Sequence, residues 1–154
     1  MRKPNSPPMA KASPKTEKRI GRKYFIVKES IFGRTVHIFI NWTHSEFAKF
    51  AREKGATDYQ DDPNYDNNFA AFSTEFEKKE GPNEWVILVR KFDWTIRDQG
   101  SLIHEIVHTI VKIWRLNNIP VTPDNQEFLA HSVGNLYEDI AAKIMAKGRL
   151  KNNQ

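Results

Sequence analysis

The sequence predicts an α+β fold: a small, mostly antiparallel sheet packed on two C-terminal helices. Two observations carry this reading. Before residue 90, short apolar segments alternate at the two-residue period of a strand, with one short helical pattern among them. After residue 94, two longer segments repeat at helical spacing and carry start and stop signals. At 154 residues the chain fits a single domain.

The first 22 residues stand apart as a basic arm, expected to be disordered, with the folded domain expected over 23–150. Residues 1–23 hold eight Lys or Arg against the single acid Glu17, a net +7, so with a chain total of +5 the remainder sums to −2. Pro4, Pro7, Pro8 and Pro14 interrupt this stretch and large apolar residues are scarce, so it buries too little to offset its ordering entropy. The high isoelectric point therefore belongs to the arm.

Tyr24-Phe25-Ile26-Val27 reads as the first strand, and Val36-His37-Ile38-Phe39-Ile40 as the second, with Val36, Ile38 and Ile40 on one face and a turn at Gly33 between them. Thr43 and Glu46 form a capping box for a helix over 43–54, with Phe47, Phe50 and Ala51 at helical spacing and Gly55 as its stop. Residues 56–68 are polar and read as a loop. Its acids, Asp58, Asp61, Asp62 and Asp66, do not match the spacing of a calcium loop. Phe72, Thr74 and Phe76 alternate with polar residues in a third strand. Gly81-Pro82-Asn83 turns it into a fourth, Trp85-Val86-Ile87-Leu88-Val89, apolar on both faces.

The first of the two long helices begins near Thr95, capped by Asp98, and runs to about Arg115. Ile103, Val107, Ile110 and Trp114 form a stripe that Leu102, Ile106 and Val111 widen, which predicts a buried helix. The last takes Thr122 as its cap and Pro123 as its first residue, and Leu129, Val133, Leu136, Ile140 and Ile144 share one face.

Into the first of these helices the sequence sets His104-Glu105-Ile106-Val107-His108. Residues four apart share a helical face, so both imidazoles can reach one ion at about 2.0–2.1 Å. Glu105 points aside, where it can serve as general base toward a water whose pKa the ion lowers. With no cysteine in the chain, the ligands of any metal are His, Asp or Glu. A catalytic zinc needs a third protein ligand. A third His six residues after His108 is excluded, since that position is Trp114. Glu127, 19 residues after His108, is the leading candidate, with Glu138 as its rival. His108 lies about 10 Å before the end of its helix and Glu127 about 6 Å into the next, similar depths for an antiparallel pair. Ala130 and Gly134 continue the Glu127 face, and close approach of the two backbones would give the mid-helix glycine a reason. His131 and Tyr137 are candidates for the donor that stabilises an oxyanion. His37 and His44 lack a partner motif and read as surface or core residues.

This pattern, His104 to His108 with a carboxylate about twenty residues on, resembles the gluzincin branch of the zincin metallopeptidases. The stretch 101–142 is similar to short zincin-like proteins encoded by bacteriophages and prophages. The resemblance implies a zincin-like fold, Zn²⁺ held by His104, His108 and Glu127, and Glu105 as the catalytic base. It departs in one respect: the thermolysin type places an Asp four residues after its ligand Glu, and here that position is His131.

The function these readings imply is peptide-bond hydrolysis by a zinc-dependent metallopeptidase, acting on a peptide or protein substrate. No apolar run suits a membrane span or a secretory leader, which sets the expectation of a cytoplasmic protein, in a host cytoplasm or a virion if phage-encoded. The alternative is a non-catalytic virion or nucleic-acid-binding protein, whose basic arm contacts phosphates on a zincin-like scaffold.

Overall fold

The computed structural model of the chain describes residues 20–56, 69–78 and 80–146. Residues 1–19 of the basic arm and most of the polar loop, 57–68, lie outside the described residues. The last residues of the arm are engaged with the domain: Ile20 packs against the main core, and Arg22 pairs with Glu46 at 2.8 Å.

β1 (Lys23–Lys28) and β2 (Thr35–Ile40) form the hairpin. Its connection closes on Glu29, a carboxylate only 1% exposed that accepts from the backbone N–H of Ile31 at 2.7 Å and of Phe32 at 2.8 Å. Gly33, at φ 63°, supplies the left-handed residue of the turn. α1 (His44–Glu53) starts at the Thr43–Glu46 capping box, and Gly55 follows it at φ 98°. β3 (Ala71–Phe76) and β4 (Glu84–Val89) are antiparallel, and β4 also runs parallel to β2. The strand order β1-β2-β4-β3 makes a mixed sheet with two antiparallel pairings and one parallel, in which β1 and β3 are the edges.

β4 is apolar on both faces because both are covered. Trp85, Ile87 and Val89 join Val36, Ile38 and Ile40 in the main core under the long helices, while Val86 and Leu88 join Phe39, Phe47 and Phe72 under α1. The class is α+β, with α2 (Ile96–Leu116) packed on β3 and β4 and α3 (Gln126–Ala146) packed on α2 and β1. None of the helices described is long and apolar enough to cross a membrane.

The long helices differ from expectation in two respects. The buried seam of α2 runs through Leu102, Ile106, Ile110 and Ile113, while Ile103 and Val107 remain 39% and 37% exposed. Apolar residues occupy most of this helix's circumference, yet the sheet offers it one wall and α3 another, so the rest faces outward. The last helix is preceded by a 3₁₀ turn, Pro123–Asn125, and the α-helix proper starts at Gln126. Asn125 folds that turn back on its connection, accepting from Thr122 N at 2.9 Å and donating to Pro120 O at 2.7 Å.

Asn41 joins three separate segments where β2 ends. Its Oδ1 accepts from Phe92 N at 2.7 Å, and its Nδ2 donates to Ile20 O at 2.7 Å and to Phe92 O at 3.3 Å. The residue sits at φ 61°, a region asparagine tolerates better than most residues. This clamp fixes the path from β4 into α2. Replacing it with Ala removes these bonds and a longer one to Gly21 O, leaves Phe92 N unpaired and keeps the unfavourable φ. Asn41→Ala is therefore expected to lower stability by roughly 2–3 kcal/mol in urea unfolding. A loss under about 0.5 kcal/mol would show that the clamp does not hold the connection.

Candidate metal centre

α2 begins where the Thr95 side chain accepts from Asp98 N at 3.1 Å and the Asp98 carboxylate accepts from Thr95 N at 3.2 Å. Counting on from this cap fixes the phase of the helix. Leu102, Ile106, Thr109 and Ile113 turn inward, and His104 and His108 turn out together. Their Nε2 atoms lie 3.0 Å apart with the rings nearly perpendicular, at 78°. Two ligands about 2.05 Å from one tetrahedral ion are about 3.3 Å apart, so a small opening of this pair suits it to a shared metal. The His104 side chain is 66% exposed. A histidine pair retained for core packing would be covered, so packing does not account for the motif.

Glu105 sits differently. It is 8% exposed, and its Oε1 lies 4.0 Å from His104 Nε2. A largely covered carboxylate that lines the same cleft as His104 is placed to act on a water near the pair. The backbone around it is also tied, since Thr109 Oγ1 donates to Glu105 O at 2.9 Å.

The motif opens onto a cleft of about 470 Å³ between the start of α2 and the start of β3, lined by Phe69, Ala71, Arg97, Gly100, His104 and Glu105 among others. β3 is an edge strand, so one side of its backbone is unpaired with any other strand of the sheet. Sequence reasoning left the edge unassigned because strand order is not visible in local pattern. The topology puts one edge beside the His-Glu-His motif.

The remaining candidates come together less fully. Tyr137 Oη donates to Gln99 Oε1 at 2.9 Å, and the Phe128 ring lies 5.8 Å from that of Trp114. These contacts make α2 and α3 antiparallel, as expected, and set their register. Glu127, next to Phe128, therefore lies toward the C-terminal end of α2, at about the level of Trp114 and past His108. Its place in the first turn of α3, not a full turn inside, follows from the 3₁₀ segment. Glu127, His131 and Glu138 are all exposed. Among the described residues, no group of three or more His, Asp or Glu side chains is gathered in a way that could hold a metal. The structure brings together His104, His108 and Glu105, and does not bring Glu127 to them. Tyr137 has its hydroxyl engaged by Gln99.

His44 is a core residue, 3% exposed against Phe47 and Phe72. His37 is neither loose surface nor apolar core, since both its ring nitrogens have partners on neighbouring strands, Tyr24 and Glu84. Only the pairing of β2 with both β1 and β4 reveals that cluster.

No protein-family model matches the chain, and neither a curated protein nor a solved structure is significantly similar to it.

Gly134 departs from expectation. A Cβ built there meets nothing within 4 Å, so close approach of α3 to α2 is not what its glycine serves. Its φ is not in the left-handed region, so alanine fits without strain. Gly134→Ala is therefore expected to raise stability by about 0.5–1 kcal/mol in thermal or urea unfolding. A destabilised variant would show that the helices approach more closely at this point than the structure has them.

Proposed function

We propose that the chain is a zinc-dependent metallopeptidase, with His104 and His108 as metal ligands, Glu127 as the third and Glu105 as the base. The observation that carries the reading is the convergence of two exposed imidazoles, 3.0 Å apart, beside a nearly buried carboxylate at a cleft along an edge strand. The donor set suits the metal in part: two imidazoles converge, and Glu127 would have to approach them from the start of α3.

His104 and His108, with Glu127, would hold a zinc ion, and the chemistry it would supply there is Lewis acidity toward a nearby water. The rest is work for the chain's own groups. Glu105 takes the proton of the attacking water and returns it to the leaving amine, so its carboxylate shuttles between two positions within a few ångströms. β3 offers a backbone edge that no other described strand pairs, against which a substrate peptide can lie extended as an added strand once Lys112 releases Ser73 O. His131 and Tyr137 are the two candidate donors for the developing oxyanion. Tyr137 would first have to leave Gln99.

Metal analysis and peptide hydrolysis test this together. The purified protein is expected to carry about one zinc per chain. His104→Ala and His108→Ala each lose it, and Glu127→Ala weakens it by roughly tenfold or more. Glu105→Gln keeps the metal and loses at least about 100-fold in hydrolysis of an unfolded protein substrate. His131→Ala keeps the metal and slows turnover only. Equal zinc in wild type and both His variants sinks the metal site, and zinc lost from Glu105→Gln makes Glu105 a ligand and not the base.

A further inference from the structure

The alternation that sends Val36 and Ile38 of β2, and Trp85 and Ile87 of β4, toward the long helices sends His37 and Glu84 to the opposite face. There α1 is the cover, and its 10 residues span about 15 Å. Beyond its C-terminal end a cavity of about 280 Å³ remains, floored by Ile26 and Val86. Tyr24, Phe50 and Phe76 present aromatic side chains to it, and Lys54 and Lys78 also line it.

A connected polar chain runs along one wall. Tyr24 Oη lies 2.9 Å from His37 Nδ1, His37 Nε2 lies 2.6 Å from Glu84 Oε2, and Lys78 Nζ donates to the other oxygen of Glu84. A carboxylate only accepts, so Nε2 carries a proton. In the neutral ring Nδ1 is then the acceptor of the Tyr24 hydroxyl. Hydroxyl, imidazole and carboxylate in this order resemble a nucleophile relay, but the electrostatics oppose that use. Burial, and then the Glu84 charge, push the Tyr24 phenol above its ordinary pKa, so it stays protonated. Burial alone would raise Glu84 as well, yet the hydrogen bonds from Lys78 and His37 outweigh it and hold the carboxyl below its usual range. The wall is a fixed, charged-and-paired surface that binds and does not attack.

With Glu84 engaged by Lys78 and His37, one positive charge is left over. Lys54 stands with its ammonium 5.7 Å from the centre of the Phe50 ring and has no carboxylate within ion-pair distance among the described residues. We propose that this cavity is a second binding site, for a small aromatic monocarboxylate: the ring lies among Tyr24, Phe50 and Phe76, and the carboxylate meets Lys54. Its volume lies at the low end of small-ligand pockets, about 300–1,000 Å³, which suits one ring or a fused pair. The site lies across the sheet from His104 and His108 and is independent of the peptidase reading.

Titration of the full-length, ¹⁵N-labelled protein with benzoate and with indole-3-acetate, followed by NMR, tests it. Saturable shifts are expected at His37, Phe50 and Lys54, with a dissociation constant below about 1 mM for the better ligand. Lys54→Glu, an exposed change that spares the core, should weaken it by about fivefold or more. Tyr24→Phe keeps the ring and should retain carboxylate binding, whereas His104→Ala should leave it unchanged. Benzylamine, the same ring with the opposite charge, should not saturate. The proposal is overturned if neither carboxylate saturates by about 10 mM on a folded chain, if benzylamine binds as well, or if Lys54→Glu binds as the wild type does.

Discussion

The advance of about 100° per residue along α2 governs both the stability of this protein and its candidate chemistry. One helix has to supply the seam Leu102, Ile106, Ile110 and Ile113, each at most 1% exposed, and also present His104 and His108 to solvent. The two sets are interleaved by two residues, half a turn and more apart, so burying one exposes the other. Glu105, next to the seam residue Ile106, falls between them and is nearly covered. The difference in environment between base and candidate ligands is thus a consequence of helical phase, and the Thr95–Asp98 cap sets where that phase begins.

The phase has value only if α2 lies at the right place on the sheet. β2 and β4 form its centre as a parallel pair, buried on both sides, and α2 follows β4 after a short connection. Asn41 bonds that connection to the end of β2 and to the point where the chain enters β1. At the other end, Lys143 Nζ donates to Ile26 O at 2.6 Å and holds α3 over β1. α2 is left to the β3 side, which is why an edge strand borders the His-Glu-His motif.

Much of this was legible in the sequence, because local signals are strong here. Capping boxes at Thr43 and Thr95, the turns at Gly33 and Gly81, alternation in β2 and β3, and the apolar runs of β1 and β4 each rest on residues close in the chain. The pair His104 and His108 was legible for the same reason, being four apart on one helix. What was not legible is what several elements decide jointly. The buried stripe of α2 was assigned through Ile103 and Val107, because apolar residues nearly encircle the helix and only the neighbouring walls choose among them. The depth of Glu127 was overestimated, because Asn125 bonds back to Pro120 and Thr122 and spends the first turn as 3₁₀. His37 appeared partnerless, because Tyr24 and Glu84 lie 13 and 47 residues away and meet it only across strands.

The two faces of the sheet also differ in how they tolerate polar groups. Under the long helices the core is apolar, and the candidate centre is kept outside it, at the cleft that α2 forms with the start of β3. An ion would add its binding free energy to a domain already held by its core. On the α1 face, by contrast, His37 and Glu84 are built into the sheet at 14% and 17% side-chain exposure. They are tolerable there because each is bonded, to Tyr24, to Lys78 and to each other, and an unpaired member would carry its full desolvation cost. A sheet that needed only an apolar second face could fill these positions with valine. Retaining a satisfied polar chain beside an aromatic hollow, with Lys54 unpaired by any carboxylate among the described residues, gives that face a recognition chemistry that packing alone does not require.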